Sequence, residues 1–586
     1  MLEKETDKLL FSLIDPGDFC MGISCELREE WDGLSDKTKR EIIKQADTYL
    51  NVPVPALNGA DYILFSRTGM TAERDAAYRK RRRMLREFVL ATCLHPDGRY
   101  DIPLVNILWA ICEESSWLSV NNTFTEGKGI AFPGIEPAID RAAAETAADL
   151  CMTLQLISSR LEAISPKLTE RLYTELEKRI ILPFLQEDFS FKGSLDDELA
   201  CISGVLMTFF SADGDIKRRI SGIRSAMQLL DDVLCDMPAD GSIPGGIEKW
   251  KEFAVPVSDI IAMVNIASAE RVDLAENKQL RRMCHYPVFC HIAPGVFLNT
   301  GSATMRPRLS GKQLYRVGSY ADDEALRSLG LYLMDDFGDD TLTHMASDLF
   351  LLDGIETENV RPPFRREAFL SEARILMLHS DEDSDEGLAV CFHGGENTAV
   401  GGHCDCGDVI MYCGGDPILI DCGFASDSGM HNLPLFGGEG QLMGKGHGAD
   451  DISATLKSEP VALTMGLKNA YRSNGCVAAY DRSVLYFRGE GAVQIIDMFE
   501  LKKNAAVDFC FITPYEPIAG RDYVQLGNVR MIYDDRLAFT KERIEVPSGR
   551  FRDQWGNIVY RLRFTTPDTM TKEQLSFTFK PMKTYG

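Results

Sequence analysis

The chain is 586 residues long, 45% hydrophobic and 26% charged, with a formal net charge of −25 at pH 7. That length supports two or more domains with full cores, and the balance is that of a folded globular protein. The acidic excess counts against nucleic acid or an anionic membrane as a partner, and makes a long polyanion hard to bind without a local basic cleft.

In chain order, the opening MLEKETDKLLFSLIDPGDFC is acidic and lacks the basic-then-apolar order of a secretion signal. No run approaches the ~18 apolar residues of a membrane span. The expectation is a cytoplasmic protein with no membrane partner. The sixteen cysteines are scattered, many inside apolar runs (Cys93, Cys151, Cys201, Cys510), where a reduced thiol packs as a small hydrophobe. The basic run RKRRR, residues 79–83, reads as a solvated helix face.

Helical periodicity then dominates. RAAAETAADLCMTLQLISSRL (residues 141–161) has apolar residues at helical spacing, and segments 168–185, 218–234, 257–269 and 323–334 repeat it, with Pro183 ending one pattern. Connectors such as 238–246 are short and rich in Pro and Gly. A long series of antiparallel helical hairpins suggests an (α/α) toroid or incomplete barrel. From about residue 361 the texture changes to short β-branched and aromatic runs such as ILMLHS, LAVCFHG, SVLYFRG and AVQIIDMFEL, separated by turns. The fold class is therefore multidomain α + β. A helical toroid, residues 1–355, precedes an antiparallel β-sandwich, residues 356–586.

Within the second half, GGHCDCGDVIMYCGGDPILIDCG (residues 401–423) and the following HNLP bring His403, Asp421 and His431 into one short region of paired strands. Cys413-Gly414-Gly415-Asp416 is a hairpin turn between two apolar runs. Two imidazoles and a carboxylate form a borderline-soft metal set, and zinc is its commonest occupant. The plainer reading is polar residues at strand ends. Cys404 and Cys406 bracket Asp405, either as alternative soft ligands or, by strand alternation, as core residues.

The order of these parts resembles the heparinase II/III-like polysaccharide lyases. The similarity runs through ICEESSW (111–117), GIEPAIDRAAAETAADL (134–150), DGSIPGGIEKW (240–250), the GGEN and GGHCDCGDVIMYCGGDPILIDCG segments, HNLP and residues 470–501. The resemblance implies β-elimination at a uronate-containing linkage. Removal of a C5 proton α to a carboxylate calls for a charge-neutralising group, a base, and an acid for the leaving oxygen. It also implies a zinc ion organising the sandwich, held by His403, Asp421 and His431, with Asp405 and Asn432 as outer partners.

The family's catalytic positions are substituted. The catalytic His of its H-x-H-x-D run falls on Gly401, its Tyr on Lys249 and its Glu on Gly245, while Trp250 is kept. Phe191-Lys192-Gly193-Ser194 stands where an Asn-Asn-Trp stretch is expected, and the linker between Asp421 and His431 is short. Candidates that remain are Lys249 and Asn122 for catalysis, and Glu113, Glu114, Trp117, Asn121 and Trp250 for binding sugar. An indole stacks on a ring and acids bind hydroxyls. For each there is a structural alternative: a Glu that caps a helix or pairs with an Arg, a Trp in the core, a solvated Lys. A partly dry cleft would lower the Lys249 pKa, whereas Glu248 and Glu252 would raise it. His393 and His447 flank the metal motif as possible substitutes for the missing imidazole, and His291 is unassigned.

These features lead to a lyase acting on a short uronate-containing or related acidic oligosaccharide. The alternative is a catalytically silent, zinc-stabilised homologue that binds carbohydrate or a protein partner. A third option is hydrolysis by the Glu113–Glu114 pair. A homo-oligomer is compatible with either of the first two.

Overall fold

The computed structural model describes residues 2–123, 138–334, 341–357, 360–382, 384–397, 402–471, 475–567 and 569–582. Gly401 and the start of the GIEPAIDRAAAETAADL segment, residues 134–137, lie outside them.

The helical half is a closed ring. Helices Arg141–Ile164, Glu198–Ser211, Trp250–Ala267, Gly311–Tyr320 and Leu342–Leu352 each pack on the next, and the last packs on the first. Helices Pro166–Leu176, Ile216–Asp236, Lys278–Cys290 and Glu324–Tyr332 pair with them as an outer layer. Sequence decides which layer a helix joins. Glu198–Ser211 buries eleven of its fourteen residues and sits inside. Ile216–Asp236 buries only a stripe (Arg219, Gly222, Ile223, Ala226, Met227, Leu230, Leu234) and sits outside. At Gly204 a Cβ would lie 2.5 Å from the Ala144 carbonyl oxygen, so glycine lets the first two inner helices close on one another.

The second half is an antiparallel sandwich of eight-, five- and four-stranded sheets. In the largest, Val484 faces Ile495 and Ile495 faces Phe577, an apolar row that continues the core. The five-stranded sheet lies against the toroid. Met377, Cys391, Ile410 and Tyr412 belong to the same buried cluster as Ile292, Val296 and Phe297. Asn299 ties this seam, donating to the Asp421 carbonyl at 3.0 Å and accepting from the Tyr412 hydroxyl at 2.5 Å. The expected toroid and sandwich are thus both present. Among the described residues no helix is long and apolar enough to cross a membrane.

One expectation is corrected. The basic run is only half solvated: Arg79, Lys80 and Arg83 are exposed, but Arg81 and Arg82 are buried. Helical periodicity turns two of the five inward, where Glu114 meets them.

At the seam, His291 and His379 are buried near Phe364, with ring centroids 5.0 and 6.0 Å from it. Burial pushes both imidazoles down to about 4 from an ordinary 6.5. The unfolded chain takes up these protons below about pH 6.5, the folded one only near pH 4. Stability is therefore fully present above pH 6.5 and falls between 6.5 and 4, by on the order of 3 kcal/mol per imidazole. Urea unfolding at pH 7 and pH 5 should show the drop, and a His291→Phe/His379→Leu variant should lose most of the acid slope. An unchanged slope in that variant would place the acid sensitivity elsewhere.

Candidate functional site

Two sites are built, one in the sandwich and one at the end of the toroid. In the sandwich, His403 and Asp405 lie on the loop that enters strand Val409–Cys413. Asp421 follows strand Asp416–Leu419, and His431 follows the turn Ser428–Met430. The loop is pinned by Cys404 N–H donating to the Ser426 carbonyl and by the Ser428 hydroxyl donating to the Cys404 carbonyl.

All four side chains are buried and present ligand atoms within 4.8 Å of one another. His403 Nδ1 is 3.8 Å and His431 Nδ1 3.6 Å from Asp421 Oδ1. Asn432 accepts from Ile512 N–H at 2.8 Å and donates to Asp408 Oδ1 at 2.9 Å and to the carbonyls of Val409 and Ile420. It thereby ties together the chain at Asp408, Val409, Ile420 and Ile512 next to His431.

The electrostatics of this cluster call for a cation. Burial, reinforced by Asp408 and Asp405, pushes Asp421 up to about 8. Burial opposes charge on His431, yet Asp421, Asp408 and Asp405 together raise it to about 9. Burial and the neighbouring His431 push His403 down. Both ring nitrogens of His431, His403 Nδ1 and Asp408 Oδ2 are buried with no hydrogen-bond partner. Orphaned imidazole nitrogens among crowded carboxylates fit a metal ion.

The expected trio is thus brought together. Asp405, expected outside the set, lies in the same cluster, with a carboxylate oxygen within 4.8 Å of the other three residues' ligand atoms. The signal was present in the sequence, because side chains two apart on an extended segment share a face. Cys404 and Cys406 are buried apart from the set, and Cys406 Sγ donates to the Gly395 carbonyl. His393 Nδ1 lies 3.6 Å from Asp405 Oδ2 and is buried with no hydrogen-bond partner. His447 Nδ1 is buried with no hydrogen-bond partner.

At the toroid end, two inner helices begin with side-chain caps. Asp140 accepts from Ala143 N–H, and Thr341 from His344 N–H. Asp140 Oδ2 also takes the Ser119 amide and hydroxyl and, at 2.9 Å, Asn122 Nδ2. Asn122 is therefore held in place by a helix cap. Arg141 lies 2.8 Å from Glu145 and 3.5 Å from Asp197. Lys249 Nζ donates to Asp196 Oδ2 at 2.6 Å. These helix starts border a cavity of about 70 Å³ lined by Arg141, Glu145, Ser203, Lys251, Asp259 and His344. His344 Nε2 is 2.8 Å from Asp259 Oδ2. An imidazole–carboxylate pair is an arrangement suited to proton transfer, and sequence reasoning missed it because the two residues are 85 positions apart.

Several expected site residues are structural. Glu114 is buried against Arg81 and Arg82. Trp117 is buried, its indole N–H given to the Ile111 carbonyl and the Arg179 guanidinium over its ring at 4.8 Å. The buried Trp250 donates to the carbonyls of Met283 and Cys284. All three side chains are buried, and Glu114 gives its carboxylate to Arg81 and Arg82, which counts against the Glu113–Glu114 hydrolytic pair. Glu113 is half exposed and pairs with Arg171 of an outer helix, and Asn121 is exposed. The dry-cleft expectation for Lys249 is also corrected: the hydrogen bond to Asp196 raises its pKa, so it is a cation at neutral pH. Among the described residues of the rim, Arg141 and Lys249 are each held by carboxylates.

No family model matches the sequence, and no curated protein is similar to it in sequence. Solved structures do match. A mutant of the heparan sulfate lyase HepC from Pedobacter heparinus is 13% identical, with a TM-score of 0.61 over 94% of this chain and 84% of that one. A heparinase III is 11% identical, with a TM-score of 0.61 over the same shares. The chondroitin AC lyase of Streptomyces coelicolor A3, in complex with chondroitin sulphate, is 10% identical, with a TM-score of 0.55 over 96% and 83%. At these identities the likeness is one of fold.

Proposed function

We propose that this chain is a cytoplasmic lyase-type carbohydrate-active enzyme that cleaves a uronate-containing or related acidic oligosaccharide by β-elimination. We further propose that it carries zinc in the sandwich. The reading rests on one observation above the others: Lys249, held charged by Asp196, stands at the end of the toroid where Asn122 is held by Asp140. The names of the matching structures, heparan sulfate and chondroitin lyases, support the substrate class.

Elimination passes the C5 proton to a base as the C4–O4 bond breaks, and negative charge builds on the uronate carboxylate and the leaving oxygen. Among the described residues the base we assign is His344, paired with Asp259 at 2.8 Å on the cavity at the toroid end. A lysine held in its cationic form suits neutralisation of that charge or protonation of the leaving oxygen, and does not suit proton abstraction. The Asn122 amide suits binding of the carboxylate. Zinc, when bound by His403, Asp421 and His431, supplies a structural cross-link of the sandwich.

The test is ultraviolet absorbance of the conjugated product across a panel of acidic oligosaccharides. Lys249→Ala should lower kcat by on the order of 100-fold with metal content unchanged. A His344→Gln variant run in parallel reports on the cavity pair. Activity that survives Lys249→Ala would remove it from the mechanism.

The second reading, a silent zinc-containing homologue that binds carbohydrate or a protein partner, is favoured by the inward packing of Glu114, Trp117 and Trp250. Flat absorbance on every substrate, with calorimetric binding retained, would select it.

A further inference from the structure

We propose that Asp405 completes a ligand set of four protein residues, so that the ion is a closed clamp between sandwich and toroid with no position open to substrate. This rests on the metal reading above.

Three observations carry it. Asp405 offers a carboxylate oxygen within the same 4.8 Å cluster as His403, Asp421 and His431, and is itself only 5% exposed. Two carboxylates with two neutral imidazoles balance the charge of a divalent ion and fill the four positions of a structural zinc site, whereas catalytic sites keep one open. Two further groups lie next to these ligands, close enough to act as outer partners. His393 Nδ1 is 3.6 Å from Asp405, and Asp408 Oδ2 is 3.7 Å from His431 Nδ1, with the other Asp408 oxygen held by Asn432.

The clamp follows from Asp421. Its Oδ1 faces the imidazoles, while its Oδ2 accepts Gly301 N–H at 2.8 Å and its carbonyl accepts Asn299 Nδ2 at 3.0 Å, both from the helical half. Gly423 N–H, at 3.0 Å, also restrains Oδ1. An ion on Asp421 therefore stiffens the connector at residues 296–305 as well as the sandwich loop.

The test uses full-length protein loaded with cobalt(II) in place of zinc. A closed four-ligand site gives an intense visible spectrum that added azide leaves unchanged. Asp405→Ala should weaken metal affinity at least ~10-fold and make the spectrum respond to azide. Should that variant fail to fold, Asp405→Asn and the azide titration of the unaltered protein carry the same decision. Hydrogen exchange at residues 296–305 should speed up when a chelator removes the ion. A wild-type spectrum that shifts with azide would overturn the closed set, and unchanged exchange would overturn the clamp. Protein that takes up neither zinc nor cobalt would overturn the metal reading, and this inference with it.

Discussion

His431→Ala is expected to abolish metal retention and to lower the Tm of the sandwich by on the order of 10 °C. An ion present at a thousandfold its Kd stabilises the folded state by about 4 kcal/mol, and a domain of roughly 200 residues shifts about 2–4 °C per kcal/mol. The effect is large because His431 is fully buried and neither ring nitrogen has a hydrogen-bond partner, Nδ1 facing only the Asp421 and Asp408 oxygens at 3.6 and 3.7 Å. The chelated wild type should melt close to the variant, and chelation of the variant should change nothing further. His403→Ala should behave alike, since its ring centroid lies 5.1 Å from that of His431 in the same cluster. If His431→Ala retains stoichiometric metal, or if wild-type Tm ignores the chelator, the cluster is a buried polar network and not a metal centre. A calorimetric scan beside elemental analysis decides between them.

The contrast between what could and could not be read from sequence is physical. Helical periodicity exposed the hairpins, because a stripe such as Arg219, Ile223, Met227, Leu230 and Leu234 is a local pattern. The trio His403, Asp421 and His431 was legible because its members fall within 29 residues, on a loop, a strand end and a turn of one short region. The role of Glu114 was not, because its meaning depends on Arg81 and Arg82, which lie more than 30 residues away on another helix. Trp117 and Trp250 mislead for a related reason: an indole suits a sugar ring and a core equally, and only the carbonyls around it distinguish the two. Lys249 was read against its sequence neighbours Glu248 and Glu252, yet its partner is Asp196 from another segment. Glu248 instead accepts from Thr304 N–H and pairs with Arg550 across the seam. The Pro183 pattern does end at that proline, with Leu185 as the C-cap, but its middle was not legible. The chain passes through a π-turn at Glu177–Ile181 before a last short turn, Leu182–Phe184, that contains the proline.

Glu114→Gln is expected to destabilise the toroid by about 3–5 kcal/mol while leaving any substrate KM unchanged. The carboxylate is 1% exposed and forks onto Arg82 at 2.6 and 2.7 Å, with Arg81 adding a third bond at 3.1 Å. Burial disfavours the Arg82 cation, yet Glu114 holds its pKa above the ordinary value. Neutralising Glu114 leaves that charge in a dry interior, over the Tyr78 ring at 3.9 Å, with its chief counter-ion gone. The cost is thus mainly that of an abandoned cation, and the loss of one contact is the smaller part. That distinction is testable. A double variant, Glu114→Leu with Arg82→Met, removes both charges and should recover much of the stability lost in the single variant. Urea unfolding of the two singles and the double gives the coupling directly. A single variant as stable as wild type but with a raised KM would return Glu114 to the substrate-binding role that its sequence neighbourhood suggests. A double variant no better than the single would show that Arg81 already shares the charge.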